Sequence, residues 1–356
     1  AALVIDGVDQ TILQATTKLN LDGYQNYDKA LDMYYLSIEY LATLRNWTNP
    51  AALGMGRLLY YYRLVGSLLF ELLHIRALLL LFPNTFEYFF LFYEAVRLRW
   101  NPRRMSPALV IGAAFAIWVV IKIPQEYWIH VAQLDATDAI KQHIFGVPID
   151  TRWSVIVRDN IPGLVLAAVV VVALVALARY LMLTKLPPAD WPFSFDVDAH
   201  GRDVSEEEAQ AERQAAAQRV FSAPLYEKIA FVGLLTIIFT QMLPTANVTV
   251  AQTAAGAIVV IVVNAALSSW LVRRGVVWRT IAVEFVVMAL ANGVTVFVFA
   301  QLLARGRRSF DLPTALFLLL LLTLLVTLYD RFHPLAQARA SRASGVGQTI
   351  GAPAHG

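Results

Sequence analysis

Long apolar runs separated by short charged segments dominate the chain, and their lengths predict helices that cross a membrane. A helix rises about 1.5 Å per residue, so about 20 apolar residues cover the roughly 30 Å of a bilayer's hydrocarbon. Eight runs fit that scale: 57–82, 84–100, 107–127, 162–183, 227–243, 248–271, 280–304 and 313–330. Pro83-Asn84 breaks the first, and Asn84 with Glu87 three residues on reads as a capping box that opens the second. The second run is short, so it either just spans or is re-entrant. Pro124 predicts a kink near the end of the third.

Between and around these runs the pattern changes. Residues 28–47 carry Leu31, Tyr34, Tyr35, Ile38 and Leu41 at helical spacing among Asp32, Glu39 and Arg45. That is an amphipathic helix, packed on the bundle or lying at the interface. A polar segment covers 129–158. A second, 185–224, opens with Leu186-Pro187-Pro188 as a linker, and Ser205 with Glu208 caps a charged helix that runs to Phe221. The tail from Ala336 is rich in Ala, Ser, Gly and Arg and reads as disordered. The expected fold is an all-α integral membrane protein of about eight transmembrane helices, with a peripheral amphipathic helix and a soluble insert. Its segments are 1–50 (peripheral), 51–184 (first membrane half), 185–225 (linker with charged helix), 226–332 (second membrane half) and 333–356 (tail). No repeat of 20 to 50 residues is visible. Four runs on either side of the insert invite an inverted-repeat reading, but the halves differ too much in polarity to support it.

Composition agrees with this reading. The 356 residues are 58% hydrophobic and 15% charged, against about 25% charged in ordinary globular chains. The net charge of +3 is small and the arginines gather at run ends, so they are topology signals and not a nucleic-acid surface. With eight crossings, Arg97, Arg99, Arg103 and Arg104 share one side with Arg273, Arg274, Arg279, Arg331, Arg339, Arg342 and the 185–224 insert. That side is expected to be cytoplasmic, in a plasma membrane of bacterial type, although Arg305, Arg307 and Arg308 conflict with it. The chain opens on Ala1, and no basic stretch leads into an apolar run there, which argues against a cleavable signal peptide. There is no cysteine, which excludes disulfides, thiolate metal sites and a cysteine nucleophile.

Candidate chemistry concentrates on the first run. Tyr60, Arg63, Ser67, Glu71 and His74 follow one another at helical spacing, within roughly 80° of arc at about 100° per residue. An ionisable group in hydrocarbon costs at least ~2.5–3.5 kcal/mol, so such a stripe must face protein or water. One reading is a path for an ion, a proton or a small solute, with Arg63, Ser67, Glu71 and His74 lining it. The other is an ion-pair network that locks this helix to its neighbours. Either needs partners from other runs, and Glu94, Glu284, Asn264, Asn292 and Gln301 are the candidates. Each has a plainer explanation. Glu94 pairs with Arg97 at i+3; Glu284 meets a helix start; Asn264 bonds across helices. Glu87 is a cap, and Lys122 snorkels beside Pro124. Small pairs such as Gly112/Ala116, Ala251/Ala255 and Ala289/Gly293 suit close helix contacts.

Other motifs are weak. Asp196, Asp198 and Glu207 stand at positions 1, 3 and 12 of a calcium-loop pattern, but His200 replaces an oxygen ligand and no helix leads in. His130 and Asp135 have the His-x₄-Asp spacing of some acyltransferases, without supporting flanks. No phosphate loop, zinc helix or nucleophile elbow is present, and only His74 could serve a membrane haem. No cofactor is therefore expected, and the partners are a lipid bilayer and a small ion or solute, with no nucleic acid. The leading function is movement or sensing of that ion or solute. The alternatives are a non-catalytic membrane scaffold and a membrane-embedded transferase at the lipid interface.

Overall fold

The computed structural model describes residues 24–132, 139–190, 223–242, 250–273, 281–303 and 312–343. Among these the chain is all-helical, with no strand. Four helices are long and apolar enough to cross a membrane: Pro107–Glu126, Ile161–Lys185, Ala223–Thr240 and Leu318–Ala340. Shorter apolar stretches occupy Ala255–Leu267 and Ala282–Thr295. The helix that carries the Tyr60–Glu71 stripe is not among the four, because Arg57, Arg63, Glu71 and three consecutive tyrosines interrupt its apolar run.

The chain divides into two compact units, Asn46–Asp203 and a second made of Ala1–Arg45 with Val204–Gly356. The second unit opens with α1, Tyr24–Asn46, whose last residue falls in the other unit. Its buried residues include Met33, Leu36, Ser37, Glu39, Tyr40, Leu41, Thr43 and Leu44. That corrects the expected stripe: Tyr35 is exposed, and Tyr34 and Ile38 are only half-buried. Small polar residues can face inward because each is satisfied within the helix. Ser37 donates to the Met33 carbonyl and Thr43 to that of Tyr40, both at 2.7 Å.

In the Asn46–Asp203 unit, α2 spans Pro50–Leu73, starting earlier and ending earlier than the expected run 57–82. Asn49 sets its start: Oδ1 accepts from the N–H groups of Ala51 and Ala52, and Pro50 supplies a first-turn φ. His74 sets its end in a left-handed conformation (φ 55°), its N–H donating to the Phe70 carbonyl. The chain then folds back through α3, Ala77–Leu81, along α2. Tyr62 donates to the Leu81 carbonyl and Arg63 to that of Phe82. Gly66 is required here, because a Cβ on it would overlap the Phe82 side chain.

α4, Thr85–Arg97, follows. Asn84 precedes it but does not cap the backbone; its Nδ2 donates to Glu87 Oε2 at 2.8 Å instead. Phe86, Phe89 and Tyr93 are buried, Phe86 edge-on to Tyr60 of α2. Trp47 stacks on Phe90, tilts against Tyr93 and donates to Glu94 at 2.7 Å. After a 3₁₀ turn, Pro102–Arg104, α5 covers Pro107–Ala116 with Ser106 as its cap. It continues through a π-helical stretch, Ile117–Lys122, the α turn α6, Ile123–Glu126, and a second π-helical stretch, Tyr127–Val131. Pro124, where a kink was expected, is flanked by wide turns on both sides. Pro124 cannot donate to the preceding turn, and the wider turns accommodate its ring. A further π-helical turn, Ile140–Ile144, and α7, Trp153–Asp159, lead to α8, Ile161–Lys185, an apolar helix with no residue buried in its spanning window.

The other unit continues with α9 (Ala223–Met242), α10 (Val250–Arg273), α11 (Ile281–Leu303) and α12 (Leu312–Ala343). α12 overturns the expected tail as far as Ala343. It carries Pro334 inside, buries Ala336 and Ala338, and is tied to α1 by Arg339, which donates to the Leu44 and Arg45 carbonyls. Those carbonyls are among the ones a helix leaves open at its C-terminus, where a cation fits best.

Candidate functional site: a buried charge cluster

A deeply buried ion pair joins the end of the first π-helical stretch to α6. Lys122 Nζ lies 3.4 Å from Glu126 Oε1, with side chains only 5% and 6% exposed. The spacing is one helical turn, which brings the two side chains together on one face. Lys122 also donates to Gln125 Oε1 at 2.9 Å and sits 4.6 Å from the centre of the Tyr88 ring of α4. Lys122 therefore does not snorkel as expected: its counter-ion is one turn away and an aromatic face covers it. Glu126 accepts in turn from the Asn84 N–H, and Asn84 holds Glu87. Glu87 and Arg63 both lie close enough to act on the Lys122 charge. Lys122 and Glu126 thus pair on the α5–α6 helix, with Arg63 of α2 and Glu87 of α4 within electrostatic range of Lys122. This gives Glu87 a role beyond the expected cap.

The sequence-level candidates distribute unevenly around it. Of the α2 stripe, Tyr60 and Ser67 are buried, and Arg63 and Glu71 are half-buried. Arg63 joins the cluster, donating to the Phe82 carbonyl at 3.1 Å. Glu71 is eight residues on, roughly 12 Å along the axis. His74 leaves the stripe altogether. It is exposed, and its left-handed cap turns it off the helix that carried the pattern. Glu94 is engaged separately, bonded to Trp47 and twice to Arg97 at 2.7 Å.

Asn264, Asn292 and Glu284 lie in the other unit. There Asn264 Nδ2 donates to Asn292 Oδ1, and Asn292 Nδ2 to Thr323 Oγ1 at 2.9 Å, joining α10, α11 and α12. Glu284 is buried on α11. The same unit holds a second polar group at α9. Glu227 accepts from Tyr40 at 2.6 Å and faces His333 at 3.3 Å, while Lys228 pairs with Asp330 at 2.5 Å.

Sequence reasoning missed Glu126, Gln125 and Tyr88. The signal was a Lys-x₃-Glu pair at the end of an apolar run, of which only Lys122 was read, as a snorkelling residue. The calcium-loop residues Asp196, Asp198 and Glu207 lie outside the described residues, as do Gln301's and His130's side chains and all of Asp135. Among the described residues no group of three or more His, Asp or Glu side chains could hold a metal ion. No protein family, no curated protein and no solved structure matches the chain.

Proposed function

We propose that this chain moves a small ion or solute across a bilayer, with Lys122, Glu126, Glu87 and Arg63 as the point where charge is exchanged. The observation that carries the reading is the nearly sealed Lys122–Glu126 pair on a helix apolar enough to span. Burying two charges costs several kcal/mol per ion even after relaxation, and a well-packed apolar pair is often as stable or more so. Ionisable groups at membrane depth therefore mark transport paths and proton relays by default. The π-helical stretches on both sides of α6 support the same reading, since such wide turns occur mostly at functional sites.

The α2 residues Ser67 and Glu71 form the approach to the cluster, with exposed His74 at its mouth. Glu94, Asn264 and Asn292 fasten chain segments to each other, and Glu284 is buried on α11. The arrangement proposed with this is eight crossings in a plasma membrane of bacterial type. The scaffold alternative would use the cluster only as a lock, and flux separates the two.

The test is purified full chain in sealed vesicles carrying a pH-sensitive dye, with ion gradients imposed in turn. Glu126→Gln keeps size and hydrogen bonding but removes the exchangeable charge. The expected result is a wild-type flux that this variant loses at least tenfold while its unfolding midpoint stays near wild type. A wild type no faster than protein-free vesicles, or an unchanged Glu126→Gln flux, contradicts the proposal.

A further inference from the structure

The segment between α4 and α5 is built more rigidly than a connecting loop needs to be. Asn49, 4% exposed, donates to the carbonyls of both Pro102 and Met105 at 2.9 Å, clamping the 3₁₀ turn at its two ends. Asn101 Oδ1 accepts from the Arg103 N–H inside the turn. Arg103 and Arg104 are thereby held outward on a fixed backbone, and both are exposed.

The exit from α8 is tied to the same turn. Trp100 Nε1 donates to the Pro187 carbonyl at 3.0 Å, the Asn101 N–H to Asp190 Oδ1 at 2.8 Å, and Arg104 pairs with Asp190 Oδ2 at 2.6 Å. Two helices apolar enough to span, the α5–α6 helix and α8, therefore have ends at one level. Residues 94–104 and 185–190 bring Arg97, Arg99, Arg103, Arg104 and Lys185 against Glu94 and Asp190, a net charge of +3. Glu94 is already occupied by Trp47 and Arg97. Arg99 lies over the Trp100 ring at 5.3 Å. Beside the cations stand exposed apolar side chains, Leu98, Leu109, Leu183 and Leu186.

We propose that this basic turn is a binding site for an anionic phospholipid. The headgroup phosphate would lie on Arg103, Arg104 and Lys185, and the acyl chains on the leucines below. The occupant is argued from the combination. A rim of cations alone fits any phosphate, but cations continuous with an exposed apolar surface fit a molecule that is anionic at one end and hydrocarbon at the other. The clamped turn lowers the ordering cost of capture, because the arginines are already placed. Trp100 at the junction is the amphipathic ring expected at headgroup depth. The site is separate from the charge cluster on α6 and does not depend on any transport activity.

The test uses the full chain in detergent with spin-labelled phosphatidylglycerol or spin-labelled phosphatidylcholine, reading the fraction of motionally restricted lipid. The variant is Arg103→Gln with Arg104→Gln and Lys185→Gln, and Arg103→Lys with Arg104→Lys serves as the charge-preserving control. Each cation near a surface is worth roughly fivefold in association with anionic lipid. The expected result is that wild type and the lysine control prefer phosphatidylglycerol at least tenfold, and that the glutamine variant loses this preference. Competition by glycerol phosphate at equal concentration is expected to be weak; strong competition would mean a site for free phosphate and would overturn the lipid assignment. Equal restriction of the two lipids by wild type, or a preference kept by the glutamine variant, would also overturn it. So would a glutamine-like loss in the lysine control, because charge would then not be the determinant.

Discussion

At the scale of single residues, the Asn46–Asp203 unit depends on positions where a small or polar side chain is obligatory. Gly66 lets Phe82 lie directly on α2, so that Tyr62 and Arg63 reach the carbonyls at the end of α3. Gly66→Val is expected to cost about 1–3 kcal/mol by forcing that contact apart, read as a lowered unfolding midpoint in detergent. Gly112→Val is the control, because nothing lies within 4 Å of its missing Cβ, and it is expected to be close to neutral. The contrast bears on what was legible beforehand. Gly112/Ala116 was singled out as a helix-contact pair from spacing alone, whereas Gly66, buried at a real contact, carried no such pattern. Spacing along one helix reports which residues share a face; it does not report which face another helix approaches. The same gap hid the cluster. Arg63 was visible on its stripe, but its neighbours Glu87, Lys122 and Glu126 come from elements whose approach only the fold supplies.

At the scale of elements, the apolar runs anticipated many of the helices, but run 57–82 is split into α2 and α3, α7 lies within the expected polar segment 129–158, and other errors lie at helix ends. α2 begins at Pro50 because Asn49 caps it, an Asn-Pro signature that was present in the sequence and not used. It ends at His74, a non-glycine residue in a left-handed conformation, which no sequence rule anticipates. α12 runs past Pro334 because Arg339 finds open carbonyls on α1, a long-range partner invisible to a local reading of an Ala- and Arg-rich tail. That contact makes a specific prediction. Arg339→Ala is expected to speed hydrogen exchange at the C-terminal turn of α1, with little change in α10 and α11. Unaltered exchange in α1 would show that the carbonyls are held by something else.

At the scale of the whole molecule, the chain is all-helical among the described residues, with four helices able to cross a membrane. Its buried polar groups fall into distinct classes. The Asn264–Asn292–Thr323 ladder is neutral and fully within one unit, as expected of bonds that fasten helices to each other. The Lys122–Glu126 pair is ionic, nearly sealed, and joins the end of one π-helical stretch to the residue before the next. Stability alone does not require an ion pair there, since apolar residues of similar volume pack as well. The most direct measurement is therefore paired. Lys122→Met with Glu126→Leu would be purified, its unfolding midpoint compared with wild type, and its flux recorded in sealed vesicles from the same preparation. An unchanged or raised midpoint with flux abolished is the predicted result. A collapsed midpoint, or full flux without the two charges, would contradict the claim that this pair exists for transport.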